Sequence, residues 1–388
     1  MTRLFRKAVM SVLERLSYQS RTLVRCIGFV AIVAALPVQA GDRKLGGAAT
    51  PNVIEYGDWS TACDNSGECT AVNVSRAYVK RIEGTDPGDY ATPKMWIKRR
   101  AGPNARPDVF VDTSIWGEAG LEAVLTLHVY YDCDGDCTGR AYSLQQIGPG
   151  RYELAPEQVA DFLAESTKTK RAATRRGDGS VHGIITTDGL VAAARFIDEH
   201  QGRNATVTAI YARGKKPAST VPLEHARPSV TILRGIEESM IEMRDAKALE
   251  QKQRKYCDAG AGEIEPDIQI FSFANGQKLW SIGCSSNPHF ERRLWLMQTD
   301  EGRFEVHSFP RPERGRDQRG LAEIPVLPNS DFDPIAGLLS SYSGGMCGWR
   351  RRWAWTGAGF EMIDAIEMSA CADILPQQWL QTYRAVPE

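Results

Sequence analysis

The sequence predicts an α+β protein dominated by strands, made of two disulfide-stapled β-rich units joined by a charged helix. Three observations predict it. Short runs of β-branched and aromatic residues, broken by Gly, Pro, Asn and Asp, recur in both halves of the 388 residues. Helical apolar spacing is confined to a few stretches. The cysteines after residue 40 fall into neighbouring couples, with a long empty gap between Cys137 and Cys257.

The chain opens with a basic segment carrying Arg3, Arg6, Lys7, Arg15, Arg21 and Arg25 against one acid, Glu14. The apolar run Cys26–Val38 follows, then Val38-Gln39-Ala40, with small residues where a signal peptidase reads. That run is shorter than the roughly 20 residues a membrane-crossing helix needs. We therefore expect residues 1–40 to be a cleaved signal peptide, with the mature chain starting near Gly41, and no transmembrane segment in that mature chain. The whole chain has 47 basic and 48 acidic residues; losing six and one leaves 41 and 47, a net charge of −6. That excess of acid argues against nonspecific nucleic-acid binding, which depends on neutralising phosphates.

After a small, polar lead-in over 41–52, Val53–Val74 reads as strand, loop, strand. Met95–Ile97, Val109–Val111 and Leu121–Tyr131 read as further strands. A helix is expected from Pro156, with Val159, Phe162 and Leu163 on one face. A second is expected from Asp188, with Leu190, Ala193, Ala194 and Ile197 inward, ending at Gln201-Gly202. Val207–Tyr211 reads as a closing strand. The stretch 214–232 contains Pro217, Pro222 and Pro228 and reads as loop; a charged helix is expected over about 234–256. Beyond it, strands are expected at Ile268–Phe273, Lys278–Cys284, Arg293–Gln298, Arg303–Ser308, Arg350–Trp355 and Phe360–Ile366. Short helices are expected at Pro334–Ser341 and Pro376–Arg384. The expected organisation is a leader over 1–40 and an N-terminal unit with two helices over 41–214. A linker with the charged helix covers 215–256, and a C-terminal unit 257–388.

Without Cys26 in the leader, eight cysteines remain, an even number that suits a disulfide framework in an exported chain. Eight cysteines allow about 105 pairings, which the sequence leaves open; joining neighbours would give Cys63–Cys69, Cys133–Cys137, Cys257–Cys284 and Cys347–Cys371. The spacings C-x5-C and C-x3-C, with no His-x3-5-His after them, argue against a zinc site. No metal or cofactor is expected.

Candidate chemistry is sparse. Asp132, Asp134 and Asp136 alternate like the start of a calcium loop, but Cys137 and Ser143 occupy the places where Gly and Glu belong, so a disulfide turn is the favoured reading. Asp198, Glu199 and His200 are consecutive near a helix end and point about 100° apart, so they do not converge. The other histidines (128, 182, 225, 289, 307) are scattered. There is no Gly-x-Ser-x-Gly elbow, P-loop or Gly-x-Gly-x-x-Gly. No catalytic residue is assigned.

Trp349, Arg351, Trp353 and Trp355 share one face of the expected strand, with Arg350 and Arg352 on the other. Indole faces interleaved with guanidinium could grip a sugar, a carboxylate or a partner protein. The competing reading is core packing with a cation–π brace. Trp59, Trp96, Trp116, Trp280 and Trp295 read as core. The basic runs Lys168–Arg176 and Arg311–Arg319 read as solvated loops.

Four stretches, YGDWSTACDNSGECTAVN at 56–73, DGLVAAARFIDEHQGRNATVTAIYARG at 188–214, KLWSIGCSSN at 278–287 and CGWRRRWAWTGAGFEMIDAIEMSACAD at 347–373, together resemble the exported bacterial family of domain of unknown function 1176. The D-W-x3-C opening is also similar to invasion-associated locus B proteins. Ser285-Ser286-Asn287-Pro288 departs from the Gly-Ala-Tyr-Asn-like stretch expected of the first family. The resemblance implies an envelope protein and supplies no catalytic residues. The reading that follows is a periplasmic, non-catalytic binding or interaction protein for an envelope protein or glycan. The surface expected to matter is 349–355, with the Cys63–Cys69 loop second. The alternative is a periplasmic hydrolase whose acid pair converges only in three dimensions.

Overall fold

The computed structural model describes residues 52–74, 93–113, 124–130, 139–239, 246–257, 267–287, 290–299, 301–312, 321–324, 326–345, 347–372 and 374–388. The leader over 1–40, Trp116 and the Cys133–Cys137 pair lie outside them. The strand-dominated α+β class is as the sequence predicts: the described residues form ten-, six- and five-stranded sheets and two short pairs.

The ten-stranded sheet is antiparallel. It runs in the order Ile54–Tyr56, Trp59–Cys63, Cys69–Asn73, Lys94–Arg99, Pro107–Asp112, Arg151–Leu154, Gly139–Gly148, Val124–Tyr130, Arg171–Arg176, Val181–Thr186. Helices Val159–Ser166 and Leu190–His200 pack on it. The second helix buries Leu190, Ala193, Ala194, Ile197 and Asp198, the i, i+3, i+4, i+7, i+8 series of an amphipathic face. Its alanines let it lie close to the strands. Its entry is closer still: Gly189 has φ +88, and a Cβ there would lie 1.7 Å from the Tyr56 carbonyl oxygen. Only glycine fits.

In the C-terminal half, the six-stranded sheet contains Glu237–Ser239, Ile268–Ser272, Lys278–Asn287, Phe290–Gln298 and Phe304–Val306, with Val326–Pro328 pairing on Phe290–Gln298. The five-stranded sheet is Ser330–Asp333, Leu338–Ser343, Gly348–Trp355, Phe360–Met368 and Leu380–Arg384. Both give residues to one aromatic core, including Phe271, Trp295, Phe332, Trp353 and Phe360. Rings meet edge to face, Phe271 and Phe332 with centroids 4.9 Å apart at 80°. A further apolar cluster draws on both ends of the chain: Val53, Ala62 and Val72 pack with Met368, Ala372, Trp379 and Leu380.

Three disulfides, Cys63–Cys69, Cys257–Cys284 and Cys347–Cys371, join the neighbours expected from the sequence. Trp59, Trp280 and Trp295 are buried as expected, and Trp96 is half-buried against the two-ended cluster.

Several elements differ from expectation. Val207–Tyr211 is a turn-rich loop, not a strand, because its backbone wraps a buried carboxylate: the Ile210 and Tyr211 N–H groups donate to Asp198 at 2.8 and 2.9 Å. Among the described residues the charged helix covers Ala246–Tyr256. Upstream, Gly235 takes φ +73, and the amides of Leu233, Gly235 and Ile236 bond to Trp355, Ile335 and Pro334. That stretch is a strap along the sheet, ending in the strand Glu237–Ser239. Pro334–Ser341 is not helical. Ser330–Asp333 pairs with Leu338–Ser343 across a turn in which Gly337 takes φ +68. Pro376–Arg384 begins with one 3-10 turn and continues as the strand Leu380–Arg384. The basic stretch at 171–176 is a strand, with Ala172, Ala173 and Thr174 buried.

Candidate functional site

The strand Gly348–Trp355 lies between Leu338–Ser343 and Phe360–Met368. Extended backbone sends alternate side chains to opposite faces. Arg350 and Arg352 are accordingly exposed, while Arg351, Trp353 and Trp355 are buried and Trp349 is half-buried.

The buried members pack inward, with Arg351 Nε and Trp355 Nε1 lacking a hydrogen-bond partner. Trp353 donates its ring N–H to the Pro310 carbonyl at 2.7 Å. Trp355 stacks on Phe273 with centroids 4.0 Å apart and planes 13° apart. The Arg351 guanidinium sits 4.0 Å from the Trp349 ring centroid and donates Nη2–H to Glu367 Oε1 at 2.9 Å. The same oxygen accepts Asn52 Nδ2–H at 2.9 Å. Burial lowers the Arg351 pKa, and Glu367 opposes that by favouring the charged form. For Arg351, Trp353 and Trp355 this is the geometry of core packing with a cation–π brace. Trp349, on the same face, is half-buried.

The opposite, solvent face carries a polar, partly aromatic patch. Tyr342, about half exposed, lies directly opposite Arg350 on the neighbouring strand. Arg352 Nε lies 3.6 Å from Asp364 Oδ2 on the other side. The sheet thus presents Tyr342, Arg350 and Arg352 along two adjacent strands.

The Cys63–Cys69 loop is not a surface. Asp64, Ser66 and Glu68 are all buried. Asp64 Oδ1 accepts the Ser66 and Glu68 N–H groups and the Ser66 hydroxyl, which fixes the turn. Glu68 pairs with Lys98 at 3.0 Å and Arg384 at 3.2 Å. The loop is a joint: Gln201 donates to the Gly67 carbonyl, His225 N–H to Ser66, and Asn65 bonds to Arg384.

Of the consecutive trio 198–200, Asp198 points inward and Glu199 and His200 point out. Asp198 is the functional group of the fold that motif reasoning passed over. Fully buried, it accepts two backbone N–H groups and faces Arg99 Nη1 at 3.4 Å. Arg99 and Arg203, also buried, spend their donors on Ala105, Thr208, Gln201 and Gly102. Burial, with Arg203 next to it, lowers Arg99 to about 9. The signal was present: Asp198 is four residues after Ala194, on the apolar stripe. This hub orders backbone; its groups are consumed by it.

The remaining described histidines are apart from one another. His128 and His182 each bond a threonine, Thr126 and Thr174. His307 is packed between Phe309 and Phe360, and burial lowers it to about 4.

Fold and site together define a disulfide-braced, strand-rich α+β protein with an arginine and aromatic patch on one sheet face. Residues 53–386 match the family described as "Protein of unknown function (DUF1176)", and the chain belongs to that family. It is also similar to the "Uncharacterized protein YpfG" of Escherichia coli (strain K12). The two are 22% identical over 352 residues, which cover 86% of this chain and 94% of that one. These matches do not show the likeness of the opening motif to invasion-associated locus B proteins. No solved structure matches the chain. No helix of the described residues is long and apolar enough to cross a membrane.

Proposed function

We propose that this protein is exported by its leader, is cleaved near Gly41 and acts in the periplasm as a non-catalytic binding protein for an envelope protein or glycan. The observation that carries the reading is the solvent face of the five-stranded sheet. Tyr342, Arg350 and Arg352 stand side by side on strands anchored by the Cys347–Cys371 disulfide and the Arg351–Glu367 pair. A rigid face holding guanidinium groups beside an aromatic ring suits sugar rings and carboxylates. Rigidity lowers the ordering cost of binding. The basic leader, the even cysteine count and the three formed disulfides support the oxidising compartment.

The test is cross-linking in intact cells, with a photoreactive residue replacing Tyr342 in one strain and exposed Glu199 in another. A partner captured from position 342 and not from 199, and lost in the Arg350→Glu/Arg352→Glu double variant, supports the reading. Equal capture from both positions overturns the assignment of the face. Fractionation with sequencing of the mature N-terminus checks export separately.

A further inference from the structure

We propose that Cys63, Cys69 and His200 form a reduction-gated site for a transition-metal cation of the zinc class. The Sγ atoms of the two cysteines and a ring nitrogen of His200 all lie within 4.8 Å of one another. Two thiolates and an imidazole are a ligand set that such cations accept, with a fourth position left open to solvent. Sulfurs tied in a disulfide are poor ligands, so the bond itself is the gate.

The scaffold holds the donors in place when that bond is open. Cys63 and Cys69 face each other on adjacent strands, and the intervening turn is fixed by Asp64 Oδ1 and by the Asp64 N–H bond to the Glu68 carbonyl. His200 ends the helix Leu190–His200. The next residue, Gln201, ties that end to the carbonyls of Gly67, Arg99 and Arg100. The three ligands therefore come from elements pinned to one another by bonds that do not involve sulfur.

Beside the site, Asp64 carries a buried Oδ2 that has no hydrogen-bond partner and lies 3.9 Å from Arg384 Nε. His200 is exposed and Cys63 is half-buried, so a cation has a path in.

The chemistry balances with a dithiol as reductant, whether a small molecule or a thioredoxin-like protein. The dithiol gives up two electrons and two protons and closes to its own disulfide. The Cys63–Cys69 bond breaks and both sulfurs become thiols. The cation then displaces both thiol protons to solvent.

The test is a cobalt(II) titration of the full mature protein, oxidised and after anaerobic phosphine reduction, followed by thiolate-to-metal absorption. The reduced protein should bind one more equivalent than the reduced Cys63→Ser/Cys69→Ser variant. The oxidised protein should bind none with thiolate absorption. His200→Ala alters an exposed ring, and it should bind about tenfold more weakly and change the visible bands. Equal stoichiometry for the reduced protein and the double variant, or an unchanged affinity and spectrum in His200→Ala, overturns the proposal.

Discussion

Asn65 and Arg384, 319 residues apart, exchange a reciprocal pair of hydrogen bonds: Asn65 Nδ2 donates to the Arg384 carbonyl at 2.9 Å, and the Arg384 N–H donates to Asn65 Oδ1 at 2.8 Å. The asparagine amide imitates a strand partner for the last strand of the five-stranded sheet. Removing it leaves two half-buried backbone groups unpaired. Asn65→Ala should therefore lower stability by about 2 kcal/mol, read as a fall in the urea midpoint at unchanged slope. An unchanged midpoint would show that water replaces the pair at no cost.

Glu367 is the counter-charge that lets Arg351 stay inside. Glu367→Ala should cost about 3–5 kcal/mol, since it strands a buried guanidinium. The double change Arg351→Met/Glu367→Met should recover most of that loss, because no charge is left to solvate. If the double variant is as unstable as the single one, the residue matters for shape and not for charge.

His307 makes stability depend on pH in one direction. Its folded pKa of about 4 lies below its ordinary value of 6.5, because burial disfavours the charged ring. Between those values the unfolded chain binds the proton and the folded chain does not. Stability is therefore fully present above pH 6.5 and falls as pH drops toward 4, by a few kcal/mol in total. His307→Phe keeps the ring packing against Phe309 and Phe360. Urea unfolding at pH 7 and pH 5 should show a smaller loss in this variant than in the parent. Equal losses would assign the acid sensitivity to carboxylates.

Gly189 and Gly276 separate steric contact from backbone strain. Both have positive φ, +88 and +84, but a Cβ on Gly189 meets the Tyr56 carbonyl while one on Gly276 meets nothing within 4 Å. Gly276→Ala should cost about 1–2 kcal/mol. Gly189→Ala should cost clearly more, or abolish soluble expression. Thermal midpoints of the two variants side by side decide this, and similar values would mean that the helix backs away freely.

Free-thiol titration of the denatured, unreduced protein without residues 1–40 should find essentially none. The loops closed by Cys257–Cys284 and Cys347–Cys371 should each contribute about 3 kcal/mol, seen as a lower urea midpoint after reduction. Two or more reactive thiols in the unreduced protein would break the oxidised framework.

The sequence was most legible where strand composition and strand structure coincide. The apolar stretches around Trp59, Met95, Val109, Trp280 and Trp295 are strands within about three residues of expectation. Polar strands escaped notice: Gly139–Gly148 shows little apolar alternation because much of it is exposed. Pro334–Ser341 misled because its apolar residues fit a helical stripe, while pairing to Ser330–Asp333 is a long-range preference that spacing does not carry. Pro376–Arg384 misled in the same way, its strand being set by Phe360–Met368 beside it. At the site, alternation correctly put Trp349, Arg351, Trp353 and Trp355 on one side and Arg350 and Arg352 on the other. Which side faces water depends on Phe273, Pro310 and Glu367, from other strands, and no local pattern reports them.

The cluster in which Val53, Ala62 and Val72 meet Met368, Trp379 and Leu380 has a consequence for biogenesis. A growing chain cannot finish that apolar layer until Trp379 and Leu380 have emerged from the ribosome. Until then the earliest strands keep oily surface uncovered. Late closure of this kind makes the order of synthesis itself a brake on premature folding.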